Sequence, residues 1–385
     1  LWADLLSDVM VNDGRVQGST DVRGEYLDNG TYDPTVGTYA PPYQAIAQVW
    51  RSASSLRSRL DVMDGDESAE KEGYYTAYLY QALPCYLLGT YYGNGPTYPD
   101  NGGATLNESV FMSTNDLYSM ALAYFDYAMV YADDHQAKII HSLMGRQYLY
   151  AGNFSDAAQH SILGLQEGDE PFEAVPGEEN PWPNWYWYEA GSNRTRYTLA
   201  SRFKYLLGED FEDTNGNGTW DSTEVFTDCA VPGADVGQGD GIYNGPSEPE
   251  EIARLLMSAA AMTPGQSYVR YFQMKYPDAD SPIPIINWQE NHLIIAELAL
   301  RNESVSVSAL DAVNAVRASH GLSSLGSIDF NLLLHERDKE LFCQGQRLID
   351  QNRFSDLLSW HIIGEGTWHY LPVPFEEELS NPNYP

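Results

Sequence analysis

Positive charge is scarce in this chain of 385 residues: 21 Lys and Arg face 55 Asp and Glu, a formal net charge of −34. Lysine occurs only at Lys71, Lys138, Lys204, Lys275 and Lys339. Nucleic-acid backbones are gripped by clustered Lys and Arg, so this balance excludes DNA and RNA as partners. An acidic surface of this kind suits a saline or calcium-containing exterior, although net charge governs solubility and association and not fold. Cysteine is nearly absent as well. Cys85, Cys229 and Cys343 are far apart and follow no zinc or redox spacing, so no disulfide framework is present. Cys85 and Cys343 lie in apolar helical contexts and read as buried free thiols. No apolar run reaches the ~18 residues that a membrane-spanning helix needs. Leu1 opens directly into a helical pattern with no signal peptide, so a targeting segment would lie upstream or have been removed. What the chain does have, 43% hydrophobic residues, is enough for a sizeable core.

One stretch is dense in oxygen. Asp213-Thr214-Asn215-Gly216-Asn217-Gly218-Thr219-Trp220-Asp221-Ser222-Thr223-Glu224 carries oxygen-bearing side chains at loop positions one, three, five, seven, nine and twelve, with Gly at position six. Ca²⁺ is a hard cation that takes roughly six to eight oxygens, with a carbonyl at position seven, a bidentate Glu at twelve and a sharp Gly turn at six. The expected ligands are therefore Asp213, Asn215, Asn217, Thr219, Asp221 and Glu224. The same residues also suit an Asx-rich surface turn with no ion. Because the loop occurs once, its expected role is structural; sensors pair such loops and expose a Met-rich groove. Asp235 and Asp240 lie in a Gly-rich run that reads as a turn.

Helical periodicity covers most of the rest. The spacing predicts helices over 43–60 and from about 68 onward, the second kinked at Pro84 and broken at Gly93. Ser113 to Asp116 resembles a capping box that opens a helix over 117–132. Over 136–165, Gly145, Tyr148, Gly152, Phe154 and Ala157 fall at the spacings of a tetratricopeptide repeat. Such a unit cannot bury its apolar face alone, so neighbouring helix pairs are expected to stack with it into a short solenoid. From 167 to about 249 the texture turns to Gly, Pro, Asp, Asn and Trp, an elaborated loop region with one helical stretch expected at 197–207. Further helices are expected at 248–262, 288–300, 308–320 and 332–342, followed by an extended, Pro-rich end. The expected fold class is all-α, tetratricopeptide-like helix pairs with a long irregular loop region.

The C-terminal third then becomes specific. Trp288-Gln-Glu290-Asn-His-Leu-Ile-Ile-Ala296-Glu297, Ala312-Val-Asn314-Ala-Val316-Arg317, Glu336-Arg337-Asp-Lys-Glu340-Leu341 and Gly345-Gln-Arg347-Leu-Ile-Asp350 resemble successive signatures of the SusD/RagB family. Leu371-Pro-Val-Pro374 with Asn381-Pro382 is similar to that family's closing segment, and Lys275-Tyr276 and the repeat over 136–165 also sit where the family would put them. The resemblance implies one SusD-like domain over 1–385: N-terminal helix pairs over 1–166, the elaborated region over 167–249, and a C-terminal helical part with a Pro-rich tail over 250–385. It also implies a lipid-anchored outer-membrane protein of Bacteroidota-type bacteria that binds glycans or peptides and caps a TonB-dependent transporter barrel. No lipid-bearing Cys opens the chain.

Within that frame Trp182, Trp185, Trp187 and Tyr188 are the candidate ligand-binding residues, since flat aromatics offer rigid area to the C–H faces of sugar rings. Their other reading is packing of the loop region onto the helices. Glu297, Arg317, Glu336, Arg337 and Arg347 are expected to form bidentate pairs between helices, not a catalytic set. His141, His160, His292 and His335 lie on helical patterns with no nucleophile motif or metal-pair spacing nearby. Acceptor tripeptides occur at Asn29, Asn107, Asn153, Asn193, Asn217 and Asn302, and Asp221-Ser222-Thr223 resembles an O-glycosylation acceptor inside the calcium loop. The leading expectation is a non-enzymatic binder of an oligosaccharide or polymer fragment. The alternative is a calcium-stabilised, self-associating subunit of an extracellular filament or sheath, and a hydrolase stands third.

Overall fold

A computed structural model describes residues 1–7, 9–12, 40–63, 67–96, 110–177, 183–191, 197–200, 203, 206, 209, 211–216, 220–226, 241–243, 245, 247, 249–261, 269–358 and 369–384. A short helix α1 (Trp2–Leu6) and a strand β1 (Met10–Asn12) come first. The periodic stretch around Trp50 then forms α2 (Ala40–Leu60). Its Tyr43, Ala47, Trp50, Ala53 and Leu60 are buried while Arg51 and Arg59 face solvent, as apolar residues three and four apart require. α3 (Glu67–Tyr91) runs through Pro84 as one helix and ends at Gly93, whose φ of 73° suits a residue without a Cβ. A two-stranded ladder of β2 (Asn94–Pro96) and β3 (Phe111–Ser113) follows. Ser113 then caps α4 (Thr114–Tyr131), its Oγ accepting from the Asp116 amide.

The repeat-like unit is a helical hairpin of α5 (Asp134–Tyr150) and α6 (Phe154–Ser161). Asp133 and Gln136 close a reciprocal capping box at its start. Gly145 fixes how near the two helices come: a Cβ there would collide with Ser161 Oγ and lie 3.2 Å from the Ser161 amide. Gly145→Val should therefore cost about 1–3 kcal/mol in urea unfolding through overpacking. Gly326→Ala, where an added Cβ meets nothing within 4 Å, should stay within about 0.5 kcal/mol of the parent.

Beyond the hairpin come β4 (Phe172–Ala174), α7 (Trp185–Ala190), β5 (Tyr197–Leu199), α8 (Ile252–Leu255), β6 (Met257–Ala261), β7 (Val269–Gln273) and β8 (Ile283–Ile286). Then follow α9 (Trp288–Leu300), α10 (Ala309–Ser319), α11 (Phe330–Glu340), α12 (Arg347–Arg353) and α13 (Phe375–Ser380). β1 pairs with β5, β4 with β8 and β6 with β7, all antiparallel. The chain is helix-rich as expected, and these short ladders are an addition to it.

Two expected helices give way to strands. The segment 197–199 is strand, because Tyr197, Thr198 and Leu199 are all buried opposite Met10–Asn12 and their aromatic and β-branched side chains suit a pleated surface. Over 248–262 helix reaches only Leu255. Leu256, at φ 48°, turns the chain, and the Ala-rich run after it pairs with Val269–Gln273 despite its helix propensity. The Pro-rich end, extended over 371–374, also contains the unexpected helix α13.

One core serves both helical parts. Trp50, Leu79, Phe125 and Leu143 from α2 to α5 pack in a single buried cluster with Leu293, Val313 and Leu333 from α9 to α11. A second cluster, with Leu5, Met10, Tyr186, Tyr197, Leu255, Tyr276 and Phe342, roots α7. Cys85 and Cys343 are buried free thiols; Cys229 lies outside the described residues. Among the described residues no helix is long and apolar enough to cross a membrane.

Candidate functional site

α7 is short and its phase is set by its cap. Asn184 Oδ1 accepts from the amides of Tyr186 and Trp187 at 2.8 and 3.2 Å, and its own side-chain amide donates to the Ser281 carbonyl at 2.8 Å. The Asn184 backbone N–H reaches the Ala279 carbonyl at 2.7 Å, so the helix start is tied to the turn before β8. With the phase fixed, Tyr186, Glu189 and Ala190 point inward. The Tyr186 ring stacks on Tyr276 with centroids 5.2 Å apart, and its hydroxyl donates to Asp4 Oδ2 at 2.5 Å. Burial first, and the Asp4 carboxylate second, push that phenol well above its usual range.

The outward residues are Trp185, Trp187 and Tyr188, with Tyr188 37% exposed. Trp185 and Tyr188 meet edge to face at 6.2 Å, and Trp187 lies 6.3 Å from Tyr188. Trp2, from the far end of the chain, adds a fourth ring 6.5 Å from Trp185. Trp182 lies outside the described residues. The aromatic run thus divides its labour: Tyr186 anchors, while half-buried Trp185 and Trp187 and the exposed Tyr188 form a partly exposed face, beside a half-buried Trp2 that also packs on the second core cluster. Such a face can stack against sugar C–H surfaces and donate a hydrogen bond to a hydroxyl.

The described arms of the oxygen-rich loop, 211–216 and 220–226, are tied to each other. Their base is fastened by a bridge between Phe211 and Phe226 and by the Glu212 amide donating to the Val225 carbonyl at 2.8 Å. Trp220 stacks on Tyr243 with centroids 4.6 Å apart, and Phe211 and Phe226 pack edge-on around Tyr243. Glu224, 6% exposed, reaches back across the loop: one oxygen accepts from the Thr214 amide at 2.8 Å and the other from the Asp221 amide at 3.1 Å. Asn215 Nδ2 donates to Asp221 Oδ2 at 2.8 Å, and Asp213 Oδ1 accepts from the Gly216 amide at 2.7 Å. Hydrogen bonds from Thr223, side chain before backbone, hold the Asp221 carboxyl below its ordinary range, so it is ionised. Asn217 and Thr219 lie outside the described residues. Positions one, three, nine and twelve therefore come round one turn with an all-oxygen donor set, which fits Ca²⁺ chemistry and not a thiophilic metal. Their carboxylates are engaged with loop amides, and no group of three His, Cys, Asp or Glu stands as a metal cluster among the described residues.

The charged C-terminal residues are internal braces. Arg317 bonds Glu336 at 2.7 Å and Glu251 at 3.0 Å, while Arg254 bonds the same two carboxylates at 2.8 and 2.6 Å. Arg337 makes a bidentate pair with Asp350 at 2.8 and 3.0 Å. Glu297 is gripped by Arg353 and by Arg301, the latter at 2.9 Å, and Arg347 stands 3.7 Å from Asp338. Burial pushes the Glu297 carboxyl up, and Arg353, Arg337 and Arg301 together outweigh it and hold it below its ordinary range. Joined this way, α8 to α12 are locked in register, with the carboxylates turned away from solvent.

No protein-family model matches the chain, and no curated protein matches it either. Solved structures do. A laminarin-binding SusD-like protein is 18% identical, with TM-score 0.64 over 100% of this chain and 94% of that one. A SusD-like carbohydrate-binding protein from Bacteroides fragilis NCTC 9343 is 14% identical, with TM-score 0.68 over 99% and 92%. Surface glycan-binding protein A from Bacteroides uniformis is 16% identical, with TM-score 0.64 over 100% and 92%. With likeness of this extent across essentially the whole chain, the protein has the SusD-like fold.

Proposed function

We propose that this protein is a non-enzymatic binder of an oligosaccharide or similar polymer fragment, working as one SusD-type domain at the outer face of the outer membrane beside a TonB-dependent transporter barrel. The observation that carries the proposal is the partly exposed cluster of rings at Trp2, Trp185, Trp187 and Tyr188, mounted on an internally braced scaffold. Support comes from the SusD-like fold, and from the named ligands of its structural neighbours, laminarin for one and carbohydrate or glycan for two others. Titration calorimetry with a panel of soluble α- and β-glucan, mannan and pectic oligosaccharides should give saturable heat for at least one class. Silence across the whole panel would overturn the proposal.

Ca²⁺ is proposed as the brace of the loop over 213–224, held by Asp213, Asn215, Asn217, Thr219, Asp221 and Glu224. An ion that binds only the folded loop stabilises it by about 2.7 kcal/mol at a hundredfold excess over its dissociation constant. Chelation should therefore accelerate hydrogen exchange over 209–226 while α5 and α6 stay protected. Exchange over 209–226 that ignores chelation would refute the brace.

A further inference from the structure

The hairpin of α5 and α6 holds two histidines that no part of the glycan-binding account uses. His141 and His160 face each other with Nδ1 atoms 3.0 Å apart and ring centroids 5.1 Å apart at 47°. One Nδ1–H donates and the other Nδ1 accepts, so the lone pair of the accepting ring is taken up by that bond. Both rings are half-buried, and their backbones are held rigidly. Ser142 Oγ accepts from the Leu165 amide at 2.8 Å, and Asn291 Nδ2 donates to the carbonyls of Ser161 and Leu165, both at 2.9 Å. The close approach at Gly145 sets the separation of the helices one turn along.

We propose that His141 and His160 form a binding site for a borderline transition-metal dication, with Cu²⁺ the ion that imidazole nitrogens hold most tightly. Imidazole nitrogens bind such ions at about 2.0–2.1 Å, which places two cis nitrogens roughly 2.9 Å apart at a right angle and roughly 3.3 Å apart at a tetrahedral angle. The observed 3.0 Å is the length of the hydrogen bond that the ion would replace: the donor ring shifts to its Nε2–H tautomer, and both Nδ1 lone pairs then turn toward the ion. Asp126 and Asp156 supply a negative field at His160, and the Tyr148 ring lies 5.4 Å from it and shields one side. Among the described residues no third His, Cys or carboxylate completes the set, so water fills the remaining positions and the ion exchanges readily. The chemistry differs from that of the all-oxygen loop, whose hard donors favour Ca²⁺.

The test is Cu²⁺ titration of the chelator-stripped protein, re-equilibrated with saturating Ca²⁺ to occupy the loop, followed by electron paramagnetic resonance and calorimetry. The expected result is one Cu²⁺ per chain with hyperfine structure from two imidazole nitrogens, weaker uptake of Zn²⁺, and an affinity at least about tenfold lower in both His141→Gln and His160→Gln. Melting temperature monitors folding of each variant. Should a variant fail to fold, Cu²⁺ added in small steps to the parent protein must broaden the ring signals of His141 and His160 before those of any other histidine. No uptake by the parent, variants that titrate like the parent, or earlier broadening at another histidine would each overturn the site.

Discussion

Replacing Arg337 by alanine should lower the unfolding free energy by about 3–5 kcal/mol, read as a shift in urea midpoint, because it strips one partner from a buried ion pair. The Arg337 side chain is fully buried and its bidentate bonds to Asp350 run at 2.8 and 3.0 Å. Removal leaves the Asp350 carboxylate facing Arg353, at 3.2 Å, without its bidentate partner, and withdraws positive charge from Glu297. Lysine should rescue little, since a point charge cannot reproduce the planar fork. Arg337→Met with Asp350→Leu should be milder than Arg337→Ala alone, because no charge is then stranded. The same network dictates the acid response. Glu251 and Glu297 have folded-state pKa values below their ordinary ones: burial raises each, and Arg254, Lys339 and Arg317 for Glu251, and Arg353, Arg337 and Arg301 for Glu297, outweigh it. Their stabilisation is full above the unfolded Glu value of about 4.3 and is lost as pH falls through the lower folded values. Stability should therefore fall steeply below about pH 4, and a Glu297→Gln variant should show a shallower fall.

The second large effect is on binding. Trp185→Ala and Trp187→Ala together should weaken affinity for the recognised glycan about 10- to 100-fold, or about 1.4–2.8 kcal/mol, as expected when aromatic anchors at a contact surface are truncated. The fold should survive, because both rings lie on the outward side of α7 while its inward side carries the packing. Tyr186→Phe should behave in the opposite way. It removes the hydroxyl that donates to buried Asp4, costing about 1–3 kcal/mol of stability, and leaves glycan affinity unchanged. A double variant that is destabilised but still binds with the parent's affinity would return the aromatic run to a packing role.

Much of the helical scaffold was legible because its signal is local. The apolar stripe around Trp50 and the Ser113 cap act within a few residues of themselves, and the small residues Gly145 and Ala157 act within one helical hairpin. The ladders were not legible, since each is only three to five residues long and two of them join distant segments, while β6 hides in an Ala-rich run; Tyr197–Leu199 becomes a strand only because Met10–Asn12 lies beside it. The same holds at the site. The aromatic run was visible as a run, but which rings face out depends on the Asn184 cap, and Trp2 gave no local sign that it would join them. A further aromatic stack, Tyr74 on Tyr131 at 5.0 Å with Tyr78 and Tyr127 beside them, could have been read from paired tyrosines four residues apart on α3 and α4. The loop over 213–224 announced its donor chemistry through spacing, while the turning of Glu224 to the loop's own amides required the folded backbone.

The most direct test of the account is a two-dimensional NMR titration of the tryptophan indole N–H signals with the glycan that gives heat. Among the nine tryptophans, the account predicts saturable shifts for Trp2, Trp185 and Trp187 at the calorimetric stoichiometry, with the buried Trp50 and Trp288 unmoved. Shifts that leave Trp185 and Trp187 in place while another tryptophan responds would contradict it.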